Sequence, residues 1–300
     1  MAHRRIGQGV FRFGPKAERQ TSLDELGALI DWSLADSVLA LLYPAAKGEK
    51  AWPPLAMFKA LLLATWYDLS DVALADRASF RRFCGFARDE ETPERTAFVR
   101  FRRLLVAHGL DRRLFEAIAL DLESKDAAIR KGTLIDATVI GSASKGDKEA
   151  AWVRHRTRAP RMATRPILSP PRTAASSARE TTPTNEPDVS IAPAIIPDEP
   201  GEVYADRAYA ALPVERAILS AGGTARLLRK GHRYLAAEKL AAHNRPLRRI
   251  RARIEKIFGT WKRSYRFRWM RWRGLSKAKL QVHLAVIAAN VKRYWRLQIA

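Results

Sequence analysis

Thr133-Leu134-Ile135-Asp136-Ala137-Thr138-Val139-Ile140 is the stretch on which the reading of this chain turns. It is β-branched and apolar, which predicts a buried strand with one carboxylate in its middle. An unpaired charge there is costly to bury. The plainer alternative puts Asp136 at the end of the strand or in a turn. A second strand-like run, Glu202-Val203-Tyr204-Ala205-Asp206, also ends on a carboxylate. Beyond it Leu212 to Ala221 reads as a short helix closed by Gly222-Gly223, a C-terminal cap signal.

A third acid stands out by isolation. From Ala241 to Ala300 the chain carries 17 Lys and Arg residues and one acid, Glu255. Glu255 could simply pair with Arg251 one helical turn earlier. At about 100° per residue, however, Arg251, Glu255 and Lys262 project at roughly 0°, 40° and 20°, one narrow stripe. A metal ligand flanked by phosphate-binding cations would have this pattern. Metal-assisted phosphoryl transfer gathers several carboxylates around divalent ions that prefer oxygen ligands. Adjacent strands and a helix packed across them form the simplest scaffold for that set. The histidines, His3, His108, His155, His232, His243 and His283, are scattered without metal-ligand spacing. The lone cysteine, Cys84, excludes an intramolecular disulfide and a Cys-based zinc site.

Composition narrows the partner. The 300 residues include 54 Lys and Arg against 31 Asp and Glu, a net charge of +23 that suits a polyanion. Residues 1–14 lack a signal-peptide core, and the most apolar run, Leu55 to Trp66, is interrupted by Lys59 and too short to span a bilayer. A soluble cytoplasmic chain without a membrane partner is the expectation. Ser22 to Glu123 reads as helical, with Pro53-Pro54 opening a long apolar segment. Phe98, Phe101, Leu104 and Leu105 share a helix face, leaving Arg102 and Arg103 for solvent or DNA. Ala236 to Phe258 and Lys279 to Leu297 are the last expected helices. Between Trp261 and Arg273 aromatics alternate with cations, either as a base-stacking surface or as buried rings with arginines outward.

These residues resemble the bacterial insertion-sequence transposases of the DDE superfamily, in the insertion-sequence-five-like group. The N-terminal module is similar over Trp52 to Leu62, Leu69-Ser70-Asp71, Phe80 to Gly85, Thr92 to Thr96 and Phe101 to Leu105. The two catalytic aspartates of the family lie in segments similar to Leu134 to Thr138 and Val203 to Tyr209, and the glutamate in a signature similar to Arg251, Glu255, Phe258-Gly259 and Lys262. Many relatives carry an aromatic where Arg248 stands. The resemblance implies an α+β chain: an N-terminal all-helical DNA-binding module over 1–125, then an RNase H-like mixed β-sheet flanked by helices over 126–300. It implies Asp136, Asp206 and Glu255 as catalytic ligands of Mg²⁺, with Mn²⁺ as a substitute. Arg251, Lys262, Arg263, Arg266, Arg268, Arg102 and Arg103 are the expected DNA-binding residues. The implied partner is double-stranded DNA, at element ends and target, met by a homodimer or larger assembly in the bacterial nucleoid.

One segment departs from this pattern. Residues 156–200 hold nine prolines and no periodicity, so composition predicts irregular chain. Where relatives begin their next strands with something like His-Gly-Tyr-Lys-Ala-His, this chain reads Arg161-Met162-Ala163-Thr164-Arg165-Pro166-Ile167-Leu168. The back-translation CGC ATG GCT ACA AGG CCC ATA TTG, read from its third base, gives His-Gly-Tyr-Lys-Ala-His-Ile. The expectation is therefore that about 160–179 is out of frame between two compensating shifts, the alternative being an authentic Pro/Ser-rich insertion. A sheet lacking its second and third strands, and a catalytically defective copy, would follow.

Overall fold

The computed structural model describes residues 21–42, 51–70, 78–86, 91–125, 133–155, 158–168, 178–183, 187–231 and 237–299. Asp71 of the N-terminal motif and residues 169–177 lie outside them.

Helices fill the first part, as the apolar periodicity predicts: α1 (Ser22–Leu29), α2 (Trp32–Leu39), α3 (Pro54–Tyr67), α4 (Ala78–Cys84), α5 (Arg95–Ala107) and α6 (Leu110–Ser124). Local chemistry sets their starts. Thr21 and Asp24 form a capping box on α1, Asp31 accepts from Ser33 N on α2, and Pro53-Pro54 opens α3. Asp24 also takes two bonds from Arg82, at 2.7 and 2.8 Å, which ties α1 to α4 and holds its carboxyl well below the usual range.

A mixed seven-stranded sheet follows. Its strands are β1 (Thr133–Ala137), β2 (Ile140–Gly141), β3 (Ala151–His155), β4 (Arg158–Leu168), β5 (Ala178–Pro183), β6 (Glu202–Ala205) and β7 (Thr224–Leu227). Helices α7 (Asp188–Ile195), α8 (Leu212–Ser220), α9 (Ala237–Arg263) and α10 (Leu275–Gln298) complete the chain. β1 runs parallel to β6, and β6 parallel to β7, while β4 lies antiparallel to β1, β2, β3 and β5. This is the expected α+β arrangement, helices first and a mixed sheet with helices after.

Two expectations are corrected. The strand foreseen over 133–140 divides: β1 stops at Ala137, Thr138 N bonds Pro166 O at 3.1 Å, and β2 resumes at Ile140. The stretch 156–200, expected to be irregular, instead carries β4, β5 and α7. Strand pairing overrides composition here, because β4 finds backbone partners on both sides. Pro166 has no N–H to leave unpaired, and its carbonyl is used. The expected loss of the strands beside β1 is therefore not seen; β1 lies between β4 and β6.

The sheet is covered on both faces. Ile135, Ile167, Val203 and Ala205 pack with Ala192 and Ile195 of α7 and with Val214 and Ile218 of α8. Leu134, Ile140 and Tyr204 join the larger core with Leu247, Ile254 and Phe258 of α9 and the apolar residues of α10 and the N-terminal helices. α10 packs against α6 and α3 and closes the core formed by α1 to α6. Among the described residues no helix is long and apolar enough to cross a membrane.

The aromatic–cation segment meets the sheet at Gly141. Gly141 N donates to Arg268 O at 3.0 Å, Met270 N donates to Gly141 O at 2.7 Å, and a Cβ on Gly141 would fall inside the Trp269 ring. Gly141→Ala is expected to destabilise the chain by about 1–3 kcal/mol in urea unfolding. Adding Trp269→Ala should recover most of that loss; a double variant no better than Gly141→Ala would disprove the steric account.

Candidate active site

Strand alternation decides where the two aspartates point. Leu134 and Tyr204 face α9, and Ile135 and Ala205 face the opposite layer, with Ile135 paired to Ala205. Asp136 and Asp206 each lie one residue past that pair. They therefore project toward α9 from the C-terminal ends of adjacent parallel strands, the position at which crevices form in such sheets.

α9 meets them with a cation. Its buried stripe is Asn244, Leu247, Arg251, Ile254, Phe258 and Trp261, the i, i+3, i+4, i+7 spacing of a core-facing helix. Arg251 occupies a core position of this stripe with only 8% of its surface exposed. Its Nη2 donates to Asp136 Oδ2 at 3.1 Å, and its Nη1 lies 3.5 Å from Asp206 Oδ1. Asp136 Oδ1 accepts from Ala137 N, and Asp206 Oδ1 accepts from Arg207 N as it caps a 3-10 turn at Arg207–Tyr209. Arg251 Nε is buried with no hydrogen-bond partner among the described residues.

Burial raises the Asp136 carboxyl above the ordinary aspartate value; Arg251 opposes the rise and the nearby Asp206 charge adds to it. Because the folded-state value is raised, this group's contribution to stability is complete in acid and is lost as pH rises through the raised midpoint.

The three expected ligands are not all brought together. Asp136 and Asp206 form a pair, whereas Glu255 is exposed on α9 one turn beyond Arg251. Among the described residues no group of three or more His, Cys, Asp or Glu side chains converges as metal ligands. The stripe geometry explains the difference. Leu247, Arg251 and Phe258 centre the buried face, and an offset of roughly 40° carries Glu255 past its edge.

Of the expected DNA-binding residues, Lys262 stands beside the pair, its Nζ donating to Thr138 Oγ1 at 2.5 Å. Thr138 carries no role in the sequence reading; its place two residues after Asp136 is the signal that could have found it. Arg103, Arg263, Arg266 and Arg268 are exposed. Arg102 corrects the expectation: it is 5% exposed, with its guanidinium 4.6 Å from the Trp272 ring centre. The helix face that the sequence leaves free is covered by the C-terminal segment. In that segment Trp261, Tyr265, Phe267 and Met270 are buried and most arginines point outward, with Trp269 left 55% exposed.

Donor chemistry at the pair suits a hard divalent cation. Two carboxylates meet at neighbouring strand ends, one of them desolvated, an all-oxygen donor pair whose charge Arg251 offsets in this structure.

Comparison with known families agrees with this architecture. The family model described as Transposase domain (DUF772) matches residues 11–104, and the model described as Transposase DDE domain matches residues 128–291. The second match spans more than half of the chain, and the chain belongs to the DDE transposases of insertion sequences. This is a family of DNA transposases that bind DNA and depend on a divalent metal. The sheet and its flanking helices are its RNase H-like domain. No solved structure matches the chain.

In a carbon-13 NMR titration without metal, Asp136 is expected to protonate above the ordinary aspartate range. Arg251→Gln should move that midpoint higher still, and Asp206→Asn should lower it. A midpoint that fell in the Arg251 variant would contradict the charge balance drawn here.

Proposed function

We propose that the chain cleaves DNA at the ends of its element and joins the freed ends to target DNA, with Asp136 and Asp206 as the carboxylates at the reacting phosphate. The observation that carries this reading is the pair itself: two acids at the ends of adjacent parallel strands, both engaged by Arg251 of the helix packed across them. Water attacks the scissile phosphate and releases a DNA 3′-OH. That 3′-OH then attacks a phosphate of the target, displacing a second 3′-oxygen.

Asp136 and Asp206 would hold Mg²⁺, or Mn²⁺ in its place, with Glu255 as the third ligand once DNA is bound. When bound, the cation polarises the phosphate and offsets charge on the attacking and leaving oxygens. The remaining work falls to side chains. Lys262, beside Thr138, and Arg251 position phosphate oxygens. Arg263, Arg266 and Arg268, with Arg103 on α5, track the duplex backbone away from the pair.

The second reading is a catalytically dead DNA-binding remnant, favoured by the exposure of Glu255 outside the pair. We assign the active assembly as a homodimer or larger on DNA, because transposition joins two ends, and its setting as the bacterial cytoplasm and nucleoid. The division into a helical module over 1–125 and a catalytic domain over 126–300 belongs to the same proposal. So does the out-of-frame origin of 160–179, which the nucleotide sequence across codons 155–185 decides.

Metal-dependent nicking of an end-containing duplex separates the enzyme from the remnant. Asp136→Asn and Asp206→Asn should each reduce nicking by at least about a hundredfold while leaving DNA binding in place. Binding without nicking by the unaltered chain supports the remnant. Replacing Arg263, Arg266 and Arg268 with Ala should flatten the dependence of log K on log salt by roughly 0.9 for each phosphate that is no longer neutralised. An unchanged slope would remove these residues from the interface.

A further inference from the structure

Arg251 holds a core position on α9, between the apolar neighbours Leu247 and Ile254, yet it is a cation. It is in ion-pair contact with both aspartates. We propose that Arg251 is a positioning residue that keeps the Asp136–Asp206 pair assembled when no divalent cation is bound, and that it must leave the pair for the cation to enter. The inference rests on reading the pair as cation ligands.

Charge sets the two occupants in competition. Two carboxylates facing one crevice repel unless positive charge lies between them, and Arg251 supplies it. The oxygens that Arg251 engages are Asp136 Oδ2 and Asp206 Oδ1, one from each acid. The other Asp136 oxygen, Oδ1, is already taken by Ala137 N. A divalent ion held by this pair would compete with the guanidinium for the same two negative charges, so each destabilises the other.

The bound arginine is also incompletely satisfied. Among the described residues its Nε is buried without a partner, a hydrogen bond that the resting arrangement forgoes. A DNA phosphate offers a guanidinium a bidentate replacement for the carboxylates. Cation entry would thus release Arg251 for the phosphate contact expected of it, coupling one site to the other.

The test measures Mn²⁺ affinity by electron paramagnetic resonance of the free ion, on the full chain without DNA. Arg251→Gln should bind Mn²⁺ about tenfold more tightly than the unaltered chain, the size of an ordinary coupling between sites. Arg251→Lys, one point charge in place of a fork, should fall between them and serves if the Gln variant does not fold. Melting temperature gives a second readout: Arg251→Gln should melt lower without metal and gain more from added Mn²⁺. A merely structural arginine would give equal or weaker binding on removal, and that result overturns the inference while leaving the pair as cation ligands. If no chain shows Mn²⁺ binding that Asp136→Asn abolishes, the cation site falls and the inference with it.

Discussion

Two carboxylates on one face of neighbouring parallel strands, half out of water, require a cation, and much of the surrounding structure meets that requirement. β1 and β6 pair in parallel with Ile135 opposite Ala205, which puts Asp136 and Asp206 side by side. Apolar residues cover both faces of those strands, and Asp136 is held largely out of water among them, whereas Asp206 stands at the rim. α9 then places Arg251 where a leucine would ordinarily complete its stripe. Removing one partner of such a buried pair costs about 3–5 kcal/mol, whereas the intact pair adds little net stability. The arrangement thus forgoes the simpler solution of an apolar contact at this position of α9.

How much of this is legible in the sequence differs by element. The strand around Asp136, the strand ending at Asp206 and the helix carrying Glu255 are readable because apolar runs and helical periodicity report burial directly. The position of Glu255 is not. By angle alone Arg251, Glu255 and Lys262 look equivalent, but burial has an edge, and only the packing of Leu247, Ile254 and Phe258 fixes where it falls. Arg102 is hidden in a similar way. Its helix face looks open in the sequence, yet Trp272, 170 residues away in the chain, covers it. Residues 156–200 resist such reading because composition reports only what a segment would do alone. β4 is a strand by virtue of β1, β2, β3 and β5 beside it.

The alternating segment 261–273 has two competing readings, and both hold in part. Trp261, Tyr265, Phe267 and Met270 are core, which accounts for most of the pattern without any ligand. Arg271 is drawn inward as well, bonding the carbonyl oxygens of Ala64 and Leu69 and the carboxylate of Asp68 at the end of α3. What remains outward is a smaller set of cations than the bare count of 17 suggests.

That subtraction narrows the positive charges left at the surface. The last 60 residues contain almost no acids of their own, so their ordered cations and helix end must borrow acceptors from the rest of the chain. Asp111 lies 2.7 Å from a ring nitrogen of His283, Asp68 pairs with Arg271, and Asp147 and Glu149 accept from the backbone at the start of α10. Each of these bonds joins the C-terminal segment to a residue before 150, which makes the helical module and the sheet electrostatically interdependent. Arg263 and Arg268 spend only a guanidinium bond on nearby carbonyl oxygens, and Arg266, 79% exposed, reaches Asp68 at only 3.8 Å. Exposed cations near Lys262 retain their charge at the surface with little compensation. Among the described residues little offsets their mutual repulsion, which a polyanion laid along them would relieve beside the acidic pair.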